Sequence, residues 1–231
     1  MSNENIDPSN MFDKDRASAH DKRHSKLFPI KESLHLLIRM VLSELPSDAK
    51  ILCVGVGTGP ELIELALHNP KWQFTAVEPS GPMLDICRQQ ADKNGISDRC
   101  KFHHGYLDSL SGSGNFHAAT SLLVSQFITD TQIRSSFFNQ IHSYLKPNGI
   151  LINADLASDM KTSAYNSLKE VWVRTMKFAE APTDEIEKLG KDVAVLPIHE
   201  IEAIIESGGF NEPSLFYQNL LIHAWFTNAK Q

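Results

Sequence analysis

Short apolar runs alternate with amphipathic stretches along most of the chain. The runs are continuous and rich in aliphatic residues, which predicts strands that are buried on both faces of a sheet. The strands are predicted at 50–55, 72–77, 99–103, 117–124 and 149–154. In the other stretches, apolar residues recur every three or four positions, the period of a helix with one buried face. The helices are predicted at 30–45, 60–68, 81–93, 130–145, 161–180 and 198–207.

This alternation predicts a doubly wound, mostly parallel sheet with helices on both faces. Two further strands, 210–219 and 220–227, follow the last helix with no helix between them, so we predict a terminal antiparallel hairpin. The expected fold class is α/β, a Rossmann-like sheet of seven strands. With 231 residues and 42% hydrophobic content the chain can bury one large core, which predicts a single domain over 1–231.

A glycine-rich turn joins the first strand to the second helix. Residues 51–61 read Ile-Leu-Cys-Val-Gly-Val-Gly-Thr-Gly-Pro-Glu. Glycine permits positive φ and close approach of a ligand, and the new helix directs unpaired N–H groups at an anionic group. A dinucleotide fingerprint has glycine at the first, third and sixth positions. Here the sixth position is Pro60, and the glycines are Gly55, Gly57 and Gly59. The turn therefore predicts a different cofactor site.

An acidic residue, Glu78, ends the second predicted strand, nineteen residues after Gly59. Such a residue can accept two hydrogen bonds from the vicinal hydroxyls of a ribose, as in sites for nucleoside cofactors. A solvated carboxylate at a strand end is the alternative interpretation. The spacing and the strand context favour the ribose role.

The segment from the first strand to the fifth resembles the class I S-adenosylmethionine (SAM)-dependent methyltransferases. The resemblance rests on the glycine turn, Glu78, the Pro-Ser-Gly-Pro-Met-Leu segment at 79–84 and the Leu-Lys-Pro-Asn-Gly-Ile-Leu-Ile segment at 145–152. It covers residues 49–155, and a closing antiparallel hairpin is distinctive of the same family. It implies that SAM is the cofactor. The implied cofactor contacts are Gly55, Val56, Gly57, Gly59, Glu78, Pro79, Met83, Tyr106 and Leu107.

Within this set, the resemblance implies that the glycines shape the methionine site, Glu78 holds the ribose and Met83 packs near the adenine. Two residues depart from the family's pattern. Cys53 replaces the usual acidic residue of the first strand, which commonly supports the SAM amino group. Tyr106 stands where an acidic residue often contacts the adenine amino group, so its ring or its hydroxyl would serve there.

Candidates for contact with the methyl acceptor follow the fourth and fifth predicted strands, at the edge where sites of open α/β sheets lie. Gln126 can orient the acceptor, or it is a plain loop amide. Asp155 can hold or deprotonate the acceptor, or it caps the next helix. Residues 156–196 exceed what a minimal connection needs, which predicts a lid insertion over the acceptor pocket.

The first 29 residues are polar and charged, and the resemblance implies that they form an N-terminal lid segment. His20 and His24 stand four residues apart, so a helix would place both on one face. They are the candidates for a general base. No third ligand accompanies them, so no metal site is predicted. A base is needed only where the acceptor must lose a proton, which leaves the catalytic residues open.

Some features resemble the bacterial carboxy-SAM synthases, which make a carboxylated SAM used in tRNA uridine modification. These features are the lid insertion, the pair Gln126-Phe127 and the ending Gly208-Gly209-Phe210. That group holds the new carboxylate with a lid arginine, whereas residues 184–196 contain only Lys188 and Lys191. We therefore expect methyl transfer to a small molecule by in-line displacement. Carboxy-SAM synthesis and non-catalytic SAM binding are the alternatives.

The composition narrows the expected partners. The net charge of −6 argues against a nucleic-acid partner, which usually needs a basic face. The three cysteines, Cys53, Cys87 and Cys100, have no metal-binding spacing and are expected to be reduced thiols in the cytoplasm. No membrane span or signal peptide is expected from the apolar runs. A homodimer formed through the exposed edge of the hairpin stays open.

Overall fold

The computed structural model describes residues 25–112, 114–180 and 187–231. The strands are β1 (Lys50–Val54), β2 (Gln73–Glu78), β3 (Cys100–His104), β4 (Phe116–Leu122), β5 (Leu145–Leu156), β6 (Ser214–Asn219) and β7 (Ile222–Asn228). The helices are α1 (Phe28–Val41), α2 (Pro60–His68), α3 (Gly81–Lys93), α4 (Thr131–Tyr144), α5 (Ser163–Phe178) and α6 (Ile198–Ser207). None of these helices has the length and apolar character needed to cross a bilayer.

The strands form one sheet in the order β3-β2-β1-β4-β5-β7-β6. The first five strands pair in parallel, and β7 runs antiparallel to both β5 and β6. The order reverses between β1 and β4, so the loops that follow these two strands diverge and open a crevice at the carboxyl edge of the sheet. The predicted Rossmann-like sheet with a terminal hairpin is confirmed.

Three boundaries differ from the prediction by four residues, for local reasons. α1 ends at Val41 instead of residue 45, and Ser43 Oγ donates to Met40 O at 2.8 Å, a side-chain bond that competes with the helix. β5 begins at Leu145 instead of residue 149, because Leu145 pairs with Phe116 before the register shifts. β6 begins at Ser214 instead of residue 210, because the preceding Pro213 has no N–H to donate to a sheet.

The two faces of the sheet carry separate cores because side chains alternate along each strand. In β1, Ile51 and Cys53 belong to the core that α1, α2 and α3 cover. Leu52 and Val54 belong to the core that α4 and α6 cover. Both cores are buried, so the sheet holds the carboxyl ends of its parallel strands in fixed positions.

The long connection between β5 and α6 builds a third, smaller cluster. Its buried members are Leu156, Tyr165, Leu189, Val193, Val195 and Leu221. Trp172 of α5 packs against them, so this aromatic residue has a packing role. The described part of the predicted lid insertion is therefore anchored to the carboxyl end of β5 by apolar contacts.

Candidate active site

The glycine turn after β1 has left-handed backbone conformations. The φ angle is +65° at Gly55, +57° at Gly57 and +85° at Gly59, a region that residues with a Cβ enter at a cost. At Gly55 a Cβ would lie 2.5 Å from Val124 Cγ2. At Gly59 a Cβ would lie 2.4 Å from Cys87 Sγ. The turn is therefore packed closely between the loop after β4 and α3.

Gly57 differs because a side chain there would enter open space. Apart from its chain neighbours, the one described atom within 4 Å of a Cβ built at Gly57 is Met83 Cε, at 3.6 Å. Met83 lies in the first turn of α3 and is itself buried. A side chain at position 57 would therefore touch Met83 and otherwise occupy open space beside the turn.

Glu78 connects the glycine turn to the end of β2. Its Oε2 accepts a hydrogen bond from Gly57 N at 2.9 Å, and its Oε1 accepts one from Ser80 N at 2.9 Å. The residue is 7% exposed. Burial raises the pKa of the Glu78 carboxyl, while the two amides and His104 act in the opposite direction. Each oxygen keeps a lone pair for another donor, so the carboxylate suits two neighbouring hydroxyl groups.

The turn after β2 is fixed by short-range hydrogen bonds. Ser80 is the N-cap of α3, and its Oγ accepts from Met83 N at 3.4 Å. His104 Nε2 donates to Pro79 O at 3.1 Å, which ties this turn to the end of β3. Met83 is thereby held in place on the first turn of α3, facing the Gly57 backbone.

Val56 and Leu107 are buried. Val56 N donates to Val77 O at 3.1 Å, and Leu107 shares a core cluster with Val77. Tyr106 is 47% exposed and precedes Leu107 at the carboxyl end of β3. Its ring is therefore placed at the surface of this edge, where it is available to a bound molecule.

Two buried groups, Cys53 and Glu61, lie close to the glycine turn. Cys53 is fully buried, and burial raises the pKa of its thiol well above the ordinary range, so the thiol stays protonated. Glu61 is in the first turn of α2 and is 7% exposed. Burial raises the pKa of its carboxyl to about 7. Sequence reasoning missed Glu61, although it stands four residues before Leu65 on the buried stripe of α2.

Asp155, a candidate for the acceptor side, is fully buried at the end of β5 and paired with a buried arginine. Arg134 Nη2 lies 2.8 Å from Asp155 Oδ2. Ser125 Oγ and Asn153 Nδ2 donate to the same oxygen at 2.7 and 2.6 Å. Asp155 Oδ1 has no hydrogen-bond partner among the described residues. The alternative role, a cap of the next helix, is wrong because Thr162 caps α5.

Arg134 was not among the predicted residues. Its Nε donates to Ser125 Oγ at 2.9 Å, so Arg134 contacts both Ser125 and Asp155. The signal was present in the helical period, because Arg134 shares the buried stripe of α4 with Phe138 and Ile141. A charged residue on such a stripe needs a buried partner, and this one has it.

Gln126, the other acceptor-side candidate, connects three segments. Its Oε1 accepts from Leu156 N at 3.0 Å, and its backbone O accepts from Ala194 N at 2.8 Å. The residue is buried. Its side-chain oxygen is thus used to hold the loop after β4 against the end of β5, and its NH2 group remains for donation.

The remaining predicted residues, His20 and His24, lie outside the described residues, as does most of the predicted N-terminal lid segment 1–29. Within the part of the chain that the structure describes, no group of three or more His, Cys, Asp or Glu side chains is placed to hold a metal ion.

Comparison with known proteins agrees with this geometry. The family model for a methyltransferase domain matches residues 51–149, which run from β1 into the start of β5. Residues 51–149 therefore match a methyltransferase domain, and the sheet has the Rossmann-like fold of class I SAM-dependent methyltransferases. A solved O-methyltransferase family protein from Burkholderia thailandensis superimposes with a TM-score of 0.63 at 13% identity, covering 95% of this chain and 63% of that one. At this identity the likeness concerns the fold.

Curated relatives of this methyltransferase chain differ in what they act on. The carboxy-S-adenosyl-L-methionine synthase of Campylobacter hominis is 33% identical over 155 residues, 66% of this chain and 64% of that protein. The release factor glutamine methyltransferase of Chlorobaculum tepidum is 40% identical over 81 residues, 34% of this chain and 27% of that protein. The chain thus spans less than two thirds of the length of these relatives.

SAM is the cofactor of this superfamily, and the described residues fit it. Glu78 has two oxygens able to accept from ribose hydroxyls. The open space beside Gly57 is bounded by the apolar Met83 side chain, which suits a planar ring. The glycine turn leads directly into the N-terminus of α2, whose helix dipole favours an anionic group such as the methionine carboxylate.

Proposed function

We propose that this protein is a SAM-dependent methyltransferase that transfers a methyl group to a small-molecule acceptor. The observation that carries the proposal is the position of Glu78, whose two oxygens accept from Gly57 N and Ser80 N, each at 2.9 Å. The ribose anchor is thereby attached to the glycine turn, so the two halves of a SAM site are fixed relative to each other without a ligand.

The assignment of the cofactor residues follows from this arrangement. Gly55, Gly57 and Gly59 shape the turn around the methionine part of SAM. Glu78 accepts from the ribose hydroxyls, and Met83 supplies an apolar surface for the adenine. Val56, Pro79, Leu107 and Tyr106 are proposed to line the same edge, Tyr106 through its exposed ring.

When bound, SAM supplies a methyl group that is activated by a positively charged sulfur. In the transfer, the methyl carbon forms a bond to the acceptor while its bond to sulfur breaks, and the electron pair of the broken bond stays on the sulfur. The protein's part is to align the acceptor, and proximity alone can lower the barrier by about 7–11 kcal/mol. A proton leaves the acceptor atom only where that atom carries one.

Asp155 and Gln126 are proposed to contact the acceptor. Asp155 Oδ2 is held by Ser125, Asn153 and Arg134, which fixes the carboxylate and leaves Oδ1 to accept a hydrogen bond. Gln126 keeps its NH2 group for donation. Asp155 is also paired with Arg134, so we propose that it orients the acceptor.

A fractionated activity assay tests this function. The protein is incubated with SAM and either the small-molecule or the macromolecular fraction of a cell extract, separated by filtration. Mass spectrometry should detect S-adenosylhomocysteine and a compound heavier by one methyl group in the small-molecule fraction. Methylation confined to protein or RNA would contradict the small-molecule acceptor, and SAM binding without any turnover would contradict methyl transfer.

Carboxy-SAM synthesis is a second candidate because the Campylobacter hominis relative matches over 155 residues. Against it, the connection after α5 offers Lys188 and Lys191, and the arginine of α5, Arg174, is exposed. The buried Arg134 is already paired with Asp155. The mass of the nucleoside bound to the purified protein decides between the two, since a carboxylated SAM is heavier than SAM by one carboxyl group.

A further inference from the structure

Glu61 is a buried carboxylate whose charge is incompletely compensated. It is the second residue of α2, directly after the glycine turn, and it is 7% exposed. Its neighbours on α2, Leu62 and Leu65, are fully buried core residues. A carboxylate in such surroundings is costly unless a cation or several donors stabilise it.

The groups that act on Glu61 come from its own backbone and from four surrounding elements. Its own amide and that of Leu62 favour its charged form, as does Lys31 of α1, whereas Glu78 of β2 opposes it. Cys53 of β1 and Cys87 of α3 also lie within its electrostatic reach.

Both thiols are neutral because burial raises the pKa of each above the physiological range. Among all these effects on Glu61, burial is the largest, and it raises the pKa of the carboxyl to about 7. One more positive charge nearby would therefore stabilise its ionised form.

SAM carries such a charge on the methionine part that the glycine turn is proposed to hold. Its α-carboxylate is favoured by the dipole at the N-terminus of α2, but its ammonium group needs an acceptor. β1 provides none through its side chain, because Cys53 is a neutral thiol. Glu78 ends β2, and its oxygens already accept from Gly57 N and Ser80 N.

We propose that the Glu61 carboxylate binds the ammonium group of the cofactor's methionine part. This inference rests on the proposed SAM site. It adds Glu61 to that site, so that the negative charge facing the ammonium group comes from α2 instead of β1. The competing explanation is that Glu61 is only an internal partner of Lys31.

Two ligands separate these explanations. S-adenosylhomocysteine contains the amino-acid part, whereas 5′-methylthioadenosine has the same nucleoside and thioether but no ammonium group. Both are titrated into wild type, Glu61→Gln, Glu78→Ala and Glu64→Gln. Glu64 lies on the same helix and pairs with Arg39 at 2.9 Å, so Glu64→Gln is the matched control for removing a paired carboxylate.

The expected pattern is a difference between ligands. Glu61→Gln should raise the dissociation constant of S-adenosylhomocysteine by about tenfold or more. It should change the dissociation constant of 5′-methylthioadenosine by less than about twofold. Glu78→Ala should weaken both ligands, and Glu64→Gln neither. Equal effects of Glu61→Gln on the two ligands, or no effect, would overturn the proposal. Failure of the wild type to bind either ligand would instead refute the SAM site itself.

Proton release from the wild type provides a second readout that needs no variant. An ammonium group next to Glu61 should lower the pKa of its carboxyl, so the binding of S-adenosylhomocysteine near pH 7 should release protons. This release is measured as a dependence of the binding heat on the ionisation enthalpy of the buffer. 5′-Methylthioadenosine should release none. Equal proton release with both ligands would contradict the role of Glu61, even if Glu61→Gln failed to fold.

Discussion

Gly57 N lies 2.9 Å from Glu78 Oε2, so the middle glycine of the turn is hydrogen-bonded to the carboxylate that ends β2. Gly57 lies in the turn after β1, and Glu78 ends β2. These neighbouring strands pair in parallel, which brings their carboxyl ends to the same edge. A backbone amide and a side chain from separate segments thus form one rigid unit. In the proposed site this unit joins the methionine half of SAM to the ribose.

The three glycines of the turn are expected to respond differently to alanine. Gly57→Ala should cost about 1–2 kcal/mol of stability because of the positive φ at this position. It should also weaken the binding of S-adenosylhomocysteine, because its Cβ would occupy the open space beside the turn. Gly95→Ala is the matched control, since Gly95 has φ +66° and no described atom within 4 Å. Denaturant unfolding and calorimetry should show similar stability losses and a binding loss in Gly57→Ala alone.

Gly59→Ala should destabilise the protein more than either of these variants. A Cβ there adds an overlap with Cys87 Sγ to the cost of φ +85°, which together amount to about 2–4 kcal/mol. The free energy of unfolding in urea measures this loss. A loss no larger than that of Gly95→Ala would show that Cys87 moves away freely.

Removing either partner of the buried pair of Arg134 and Asp155 alone should destabilise the fold strongly. Arg134→Met leaves a buried carboxylate without its cation and should cost about 3–5 kcal/mol. Adding Asp155→Asn should cost less than the sum of the single changes, because the unpaired charge is then absent. Urea unfolding of the two single variants and the double variant measures this coupling, and simple additivity would contradict it.

Glu61 should give the protein a pH-dependent cost in stability. Its pKa is about 7 in the folded chain and about 4.3 in an unfolded one, so folding favours its protonated form. The cost of ionising it is complete above about pH 7 and disappears as the pH falls towards about 4.3. Glu61→Gln should therefore be more stable than wild type by about 1–3 kcal/mol near pH 8.

Guanidinium unfolding of wild type and Glu61→Gln over this pH range measures the effect. The difference between the two proteins should shrink steadily as the pH is lowered. If the stability difference between the two proteins did not depend on pH, the fold would not disfavour the ionised form of Glu61. Together with weaker S-adenosylhomocysteine binding, a stabilised Glu61→Gln would show a residue kept for binding at a cost in stability.

The sequence predicted the architecture because its periodicities are clear. Continuous apolar runs marked the parallel strands, and the glycine turn with Glu78 marked the edge at which they end. The starts of β5 and β6 were less accessible, because they depend on the pairing of Leu145 with Phe116 and on Pro213. Pairing partners distant in the chain leave no local signal.

The site was only partly predictable for a related reason. Glu61 and Arg134 both lie on the apolar stripes of their helices. Their positions in the helical repeat could have identified them as buried charges. Their partners could not be read from the sequence. Arg134 pairs with Asp155 across the contact between α4 and β5, and Lys31 acts electrostatically on Glu61 because α1 lies beside α2. Such contacts arise from tertiary packing.

The central claim is that Glu78 anchors SAM at the glycine turn. It is tested most directly by titrating ligand-free protein with S-adenosylhomocysteine, beside Glu78→Ala and the control Asp85→Ala, which removes an exposed carboxylate from α3. Wild type and Asp85→Ala should bind alike, and Glu78→Ala should lose about 1.5 kcal/mol or more. Equal binding by Glu78→Ala, or no binding by the wild type at millimolar ligand, would contradict the account.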